Sequence, residues 1–387
     1  MKFVKTFILL ACTHLAMSQI NVKKEFDYAA KQYEGMLASH PDLTKFPQST
    51  NPDGSPRDMK SEWWCSGFFG GSLWYLYEYT HDPKWKAAAE KWTMAVAKEQ
   101  YNTGTHDLGF MLYCPFGNGY RLTKNEEYKN IMLTGAKSLS TRFDPKVGLI
   151  KSWNKFQGKY EYPVIIDNMM NLEFLFWASK VSGDKSFYNI STIHADNTLK
   201  NHFRADNSSY HVICYGPNGE VQAKKTHQGA ADESAWARGQ AWGLYGYTVM
   251  YRETKDPKYL EQAHKIAAFI LHNPNLPADK IPYWDYSKPG EERDASAGAI
   301  ASSALFELAQ YSKGKQKAEY LSNAIKMLET LSSPAFKAKI GENNHFILMH
   351  STGHKPGNSE VDVPLVYADY YYLEALLRYK QLKASGK

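Results

Sequence analysis

Asp167 stands where an apolar run, Val164-Ile165-Ile166, meets the polar start of a helix, Asn168-Met169-Met170-Asn171-Leu172. A carboxylate in that place has two uses. Asp is a favoured N-cap, its oxygen accepting a free backbone N–H of the first turn; a carboxyl held among apolar neighbours can instead carry a proton near neutral pH. A second segment is built alike, with Asp107 opening Leu108-Gly109-Phe110 after Thr105-His106. Two acids at two helix starts suggest a pair suited to glycosidic acid/base chemistry, if the fold brings the starts together. A helix N-terminus favours the ionised carboxylate, whereas burial among aromatics and repulsion from a second Asp favour the proton. Asp167, with the heavier apolar flank, is expected to hold the raised pKa; two exposed caps with ordinary values are the plain alternative.

Further polar and aromatic residues gather in the segments before helices. Trp63, Trp64, His106, Trp153 and His211 are followed by Thr226-His227-Gln228-Gly229 and by Trp236-Ala237-Arg238-Gly239-Gln240-Ala241-Trp242. Arg238 and Trp242 are four apart and share a helix face. An arginine fork beside an indole suits a sugar ring bearing a carboxylate. Core packing is the alternative for Trp242, while an unpaired Arg238 in a Gly/Ala-rich helix would be too costly. No His-x-x-x-His or Glu-x-x-His helical spacing and no Cys pair points to a metal. Gly-x-Ser-x-Gly elbows and phosphate-binding glycine loops are absent too, and no cofactor is expected.

The elements that must position these residues repeat. A helix rich in small and aromatic residues is followed by a short turn and a more polar amphipathic helix. The turns read Thr80-His81-Asp82-Pro83, Ser182-Gly183-Asp184-Lys185 and Thr254-Lys255-Asp256-Pro257, with Tyr311-Ser312-Lys313-Gly314 as a looser copy. Small-residue helices are expected over roughly 67–80, 108–119, 168–181, 236–253, 296–312 and 367–380, and polar ones over roughly 24–40, 83–99, 124–141, 185–200, 256–272 and 315–332. The first polar and last small-residue helices can pair and close a ring, giving an all-α (α/α)6 barrel. An open solenoid would have hairpins of more regular length. Long loops precede the inner helices and short turns follow them, so function is expected at the inner helices' N-terminal ends.

The chain has 387 residues, 43% hydrophobic and 14% aromatic, and no polar linker divides it. That allows a sizeable core. Residues 1–18 read as an export signal, with Lys2 and Lys5, an apolar Phe7–Ala16 and a small-residue cleavage pattern at Ala16-Met17-Ser18. Residues 19–387 then form a single barrel domain, and a periplasmic or otherwise exported protein is expected. A lipoprotein reading at Cys12 is disfavoured because the apolar run before it is very short. No later apolar run is long enough to span a bilayer. Three cysteines remain, Cys65, Cys114 and Cys214, too few and scattered for a framework. The formal net charge of +6 falls to +4 when Lys2 and Lys5 leave with the signal; no basic run suggests nucleic acid. A monomer or weak dimer is expected.

Taken together, Trp64-Cys65-Ser66-Gly67-Phe68, His106-Asp107-Leu108-Gly109-Phe110, Asp167-Asn168-Met169-Met170-Asn171-Leu172 and Trp236-Ala237-Arg238-Gly239-Gln240-Ala241-Trp242 resemble glycoside hydrolase family 88, the unsaturated glucuronyl hydrolases. The likeness spans nearly all of the mature chain, including Tyr367 to Ala375. It implies an enzyme that removes a 4,5-unsaturated uronic acid from the non-reducing end of lyase-generated oligosaccharides. By resemblance Asp167 matches the general acid/base that protonates C4 while water adds at C5, and Asp107 the second essential acid. His211, Arg238 and Trp242 match substrate or water contacts, with Trp64, His106 and Trp153 lining the pocket. Relatives that accept sulfated fragments carry Ser-x-x-Ser-x-Lys before the last helix; the comparable Ser351-Thr352-Gly353-His354-Lys355 departs at the second serine and in lysine spacing. Ser351 and Lys355 remain candidate contacts, for sulfated or unsulfated glycosaminoglycan-type disaccharides, and a solvated basic loop is the alternative. Rivals are the unsaturated rhamnogalacturonyl hydrolases, a non-catalytic envelope glycan-binding protein, and a sugar epimerase, whose usual histidine pair has no counterpart.

Overall fold

The computed structural model describes residues 20–384; the expected signal at residues 1–18 and the Cys12 alternative lie outside the described residues. Four turns share one hydrogen-bonding device, which is why the hairpins repeat. Thr80, Thr123, Ser182 and Thr254 each donate their hydroxyl to the carbonyl four residues back. The same hydroxyl accepts the N–H of the residue two positions on. That residue, Asp82, Asn125, Asp184 or Asp256, caps the next helix through its side-chain oxygen. Between them His81, Lys124, Gly183 and Lys255 take left-handed φ of 56°, 58°, 79° and 60°, the usual way to end a helix sharply. The Asn125 copy falls outside the Asp-based sequence pattern, and the looser copy at Lys313 has no capping side chain.

The outer helices are α1 (Val22–Ser39), α3 (Pro83–Ala95), α5 (Glu126–Ser140), α7 (Lys185–Asn201), α9 (Pro257–Leu271) and α11 (Gly314–Leu331). The inner ones include α2 (Gly67–Thr80), α8 (Ala237–Thr254), α10 (Ala295–Leu308) and α12 (Val366–Ala384). Two inner segments are not plain α-helices. The second is a π-helix, Gly109–Gly117, containing Pro115 and continuing into α4 (Asn118–Thr123). Proline has no N–H for the α ladder, and π segments are frequent beside functional sites. The third opens as a 3-10 turn, Ile166–Asn171, before α6 (Leu172–Ser182). Inner neighbours pack in order around the ring, α12 meets α2, and α1 meets both, so the first outer and last inner helices close the (α/α)6 barrel.

The acid-bearing second and third inner segments touch at one glycine. Gly109 donates its N–H to Asn171 Oδ1 at 2.8 Å. A Cβ on Gly109 would lie 2.5 Å from that oxygen and 2.9 Å from Asn171 Cα, so no other residue fits this approach.

Short strands decorate the rim above the inner helix starts. The hairpin β1 (Phe46–Thr50) with β2 (Pro56–Met59) and the pair β3 (Phe143–Asp144) with β4 (Leu149–Ile150) precede a three-stranded sheet. That sheet is β5 (Tyr162–Ile165), β6 (Val212–Tyr215) and β7 (Val221–Lys225), with β6 in the middle. A last hairpin joins β8 (Ser351–His354) to β9 (Ser359–Val363). Within β5 and β6, Ile165 pairs with Val212, and Ile166 donates its N–H to the His211 carbonyl at 3.0 Å. This pairing delivers His211 beside Asp167.

Candidate active site

Asp167 is not an N-cap. Ile165 arrives extended as the end of β5, so the helical turn starts two residues earlier than expected and Asp167 lies inside it. Its carboxyl is therefore free of capping, 9% exposed, and its Oδ2 has no hydrogen-bond partner among the described residues. Burial pushes this carboxyl up to about 7, against the pull of Arg238; the negative charge of Asp107 adds to the rise, while its own N–H and the Trp242 indole oppose it. The carboxyl expected from sequence to hold a proton near neutrality is the one whose surroundings favour the proton.

Asp107 is held differently. Thr105 donates its hydroxyl to Oδ2 at 2.8 Å and accepts the Asp107 N–H at 3.1 Å. His106 Nε2 lies 3.3 Å from Oδ1, and burial depresses the His106 pKa, so that ring is neutral near pH 7. One acid is thus hydrogen-bonded in place and the other is left to titrate.

His211 supplies a fixed proton beside Asp167. Its Nδ1 accepts the backbone N–H groups of His227 and Gln228, both at 3.1 Å. Burial, then the charges of His227 and Arg238, drives its pKa well below the ordinary value. The neutral ring must then carry its hydrogen on Nε2, which lies 3.7 Å from Asp167 Oδ2 and has no hydrogen-bond partner among the described residues.

A cavity of about 260 Å³ opens onto both acids, whereas His211, expected as a substrate or water contact, is buried beside Asp167 and does not line it. Trp64, Trp153, His106 and Arg238 line it as expected from sequence, with Asp107 and Asp167. Another cavity, about 490 Å³, lies at the other end of the barrel. There the ions are paired with one another, Arg252 with Glu173 and Glu307, Arg378 with Glu307, and Arg121 with Glu78. The smaller cavity holds the unpaired acid and is the candidate site.

Three expected contacts are corrected, and a fourth, Arg238, lines the cavity but is already paired. Arg238 is not a free fork: its guanidinium donates to Asp294 Oδ2 at 2.9 Å and to the carbonyls of Thr352 and Gly353 at 2.6 and 2.7 Å, and stacks 4.5 Å from the Trp236 ring. It reaches the cavity as a wall with its charge matched. Trp242 is fully buried against Phe110 and Tyr371, one helical turn below the cavity, and meets the site only through its indole N–H. Ser351 is buried within the β8–β9 hairpin and does not line the cavity. Lys355 is turned away and bound to Glu292, with Glu291 at 3.5 Å. It is not free for a sulfate.

Residues from the quoted motifs and others without a sequence signal complete the walls. His227 and His354 stack with ring centres 4.4 Å apart, and Arg57, Glu360 and Tyr367 face the cavity from β2, β9 and α12. Asp294 caps α10 through Ser296 and Ala297 while pairing Arg238.

With this geometry established, comparison with known proteins is informative. The profile of Glycosyl Hydrolase Family 88 matches residues 41–248. An unsaturated glucuronyl hydrolase of Formosa agariphila is 45% identical over 375 residues, covering 93% of this chain and 92% of that protein. An unsaturated chondroitin disaccharide hydrolase of Streptococcus pyogenes is 32% identical over 94% of this chain and 92% of its own length. Among solved structures, an unsaturated glucuronyl hydrolase specific for heparin superposes with a TM-score of 0.91 at 48% identity, covering 94% of this chain and 98% of that one.

Proposed function

The chain belongs to glycoside hydrolase family 88, and on that premise we propose that Asp167 is the general acid/base of a hydrolase acting on 4,5-unsaturated uronic acids at the non-reducing end of lyase-generated oligosaccharides. One observation carries the assignment: a carboxyl pushed up to about 7 by burial, at the floor of an aromatic-walled polar cavity. The protonated Asp167 gives its hydrogen to C4 of the vinyl ether. Positive charge develops at C5 and on the ring oxygen, water adds at C5, and the proton it loses returns to the Asp167 carboxylate. The new hemiketal opens at the C5–ring oxygen bond to a ketone. The hemiacetal left at C1 then collapses to an aldehyde and expels the leaving sugar. The net change is addition of one water, with no covalent nucleophile, so the spacing rule for direct displacement does not govern this pair.

Each neighbour has a part in this scheme. Asp107, fixed by Thr105, accepts sugar hydroxyls and keeps its partner's proton in place through charge repulsion. The Nε2–H of His211 faces the oxygen that exchanges the proton and keeps it aligned. Trp64 and Trp153 offer ring faces at the cavity wall. Glycosaminoglycan-type disaccharides are the proposed substrate class, supported by relatives named for chondroitin and heparin. Export to the periplasm, supported by the pattern of residues 1–18, would bring a monomer or weak dimer to such fragments.

A panel of heparin, chondroitin, hyaluronan and pectin lyase products tests the proposal through the ultraviolet absorbance of the conjugated double bond. The expected result is loss of absorbance on glycosaminoglycan fragments. Consumption confined to pectin fragments would move the substrate class, and no consumption of any unsaturated disaccharide would end the hydrolase reading.

A further inference from the structure

The β8–β9 hairpin carries a carboxylate that the hydration chemistry does not use. Glu360 lines the acid cavity beside Arg57, Gly353, His354 and Ser359. Its backbone lies in the left-handed region at φ 56°, a conformation unfavourable for glutamate that persists where the surroundings impose it, as ligand clamps often do. Gln48 in β1 donates its amide to Oε1 at 2.5 Å. The other oxygen lies across Gly353, where a Cβ would come 2.7 Å from both Glu360 Cβ and Oε2. The Gly353 carbonyl accepts Arg238 at 2.7 Å and Gln228 at 2.8 Å, so this crossing point is rigid. Glu360 is therefore seated in the wall by a strained backbone, a glycine and an amide from another hairpin.

None of the nearby cations forms an ion pair with Glu360 among the described residues. Lys355, on the same hairpin, is bound to Glu292 and Glu291 and does not line the cavity. Burial pushes the Glu360 carboxyl up, while Arg57, which donates a guanidinium N–H from β2 to Ser359 Oγ at 3.0 Å, and Arg238 pull it down. Arg238 is matched by Asp294. The hairpin thus gives the cavity wall a carboxyl that has no ion-pair partner among the described residues and that, ionised, accepts hydrogen bonds and repels anions.

We infer that Glu360 selects the leaving sugar, accepting a hydrogen bond from its hydroxyl or amino group and rejecting a sulfate ester at that position. The inference rests on the hydrolase reading above and adds the substituent pattern that the site admits.

The test uses two unsaturated disaccharides of the same linkage, with and without a sulfate on the leaving sugar, and measures kcat and KM for the wild type and Glu360→Gln. The wild type should favour the unsulfated compound. Glu360→Gln keeps the side chain's size and removes its charge. It should lower kcat/KM on the unsulfated compound and raise it on the sulfated one, moving their ratio by about tenfold or more, chiefly through KM. A folded variant with an unchanged ratio overturns the inference while leaving the hydrolase reading intact. Wild-type protein that consumes neither compound overturns both. Should the variant fail to fold, the wild-type preference itself is measured against ionic strength: added salt should narrow it, and a constant preference overturns the inference.

Discussion

Asp167→Asn should lower kcat by about 10²- to 10⁴-fold, the usual contribution of a positioned general acid, while leaving the fold and substrate binding in place. The amide is isosteric with the carboxyl but cannot give a proton to C4. Structural damage should be slight, because the pocket already favours the uncharged form: burial raises the carboxyl from 3.8 to about 7. A group whose folded pKa is raised contributes stability that is present at low pH and lost as pH climbs through the folded value. Ionised Asp167 therefore burdens the native state above pH 7 more than at pH 5. The Tm of Asp167→Asn relative to wild type should accordingly be higher at pH 8 than at pH 5. Rates from double-bond absorbance and paired thermal melts check both halves. A variant retaining near-wild-type kcat removes Asp167 from the chemistry.

The second large effect falls on stability. Asp294→Ala removes the only carboxylate that Arg238 touches among the described residues, leaving a guanidinium 1% exposed with a buried, unmatched charge. Breaking one side of such a pair typically destabilises by about 3–5 kcal/mol. The same side chain caps α10 through the N–H groups of Ser296 and Ala297, and losing a cap adds about 1 kcal/mol. Asp294→Asn keeps a capping oxygen and loses the charge, so its loss should be intermediate. Denaturant titration should rank wild type above Asp294→Asn above Asp294→Ala. Activity should fall in the same order, because Arg238 also holds the Thr352 and Gly353 carbonyls that place the hairpin over the cavity. Equal stabilities for wild type and Asp294→Ala would mean that this ion pair does not organise the wall.

How far the sequence carried depended on the range of each interaction. Asp107, Asp167 and the barrel were legible because local rules write them: an acid at a helix start, a Thr/Ser-x-Asp turn, and Gly and Ala at helical spacing. The start of the third inner helix was misread by two residues because β5, held by its pairing with β6, carries the chain in extended form to Ile165. That tertiary pairing freed Asp167 from capping, and it left no mark in the local pattern. Arg238 and Trp242 do share a helix face, yet four residues are one turn of about 5–6 Å, and only Arg238 lines the cavity. The partners of Arg238 and Lys355 lie 56 and 63 residues away in sequence, so neither commitment could be read from spacing. Glu360 carried no motif at all; only its φ and the glycine beneath it reveal the constraint.

The central claim is that Asp167 acts in its protonated form, and that the fold itself raises its pKa. The most direct measurement is the pH dependence of kcat/KM on an unsulfated unsaturated disaccharide, followed through loss of double-bond absorbance. Because free enzyme must hold the proton to donate it, the rate should be lost as pH rises through about 7, approaching tenfold per pH unit above it. A kcat/KM that stays level or rises from pH 6 to pH 9 would contradict the account, because the active carboxyl would then be ionised from the start.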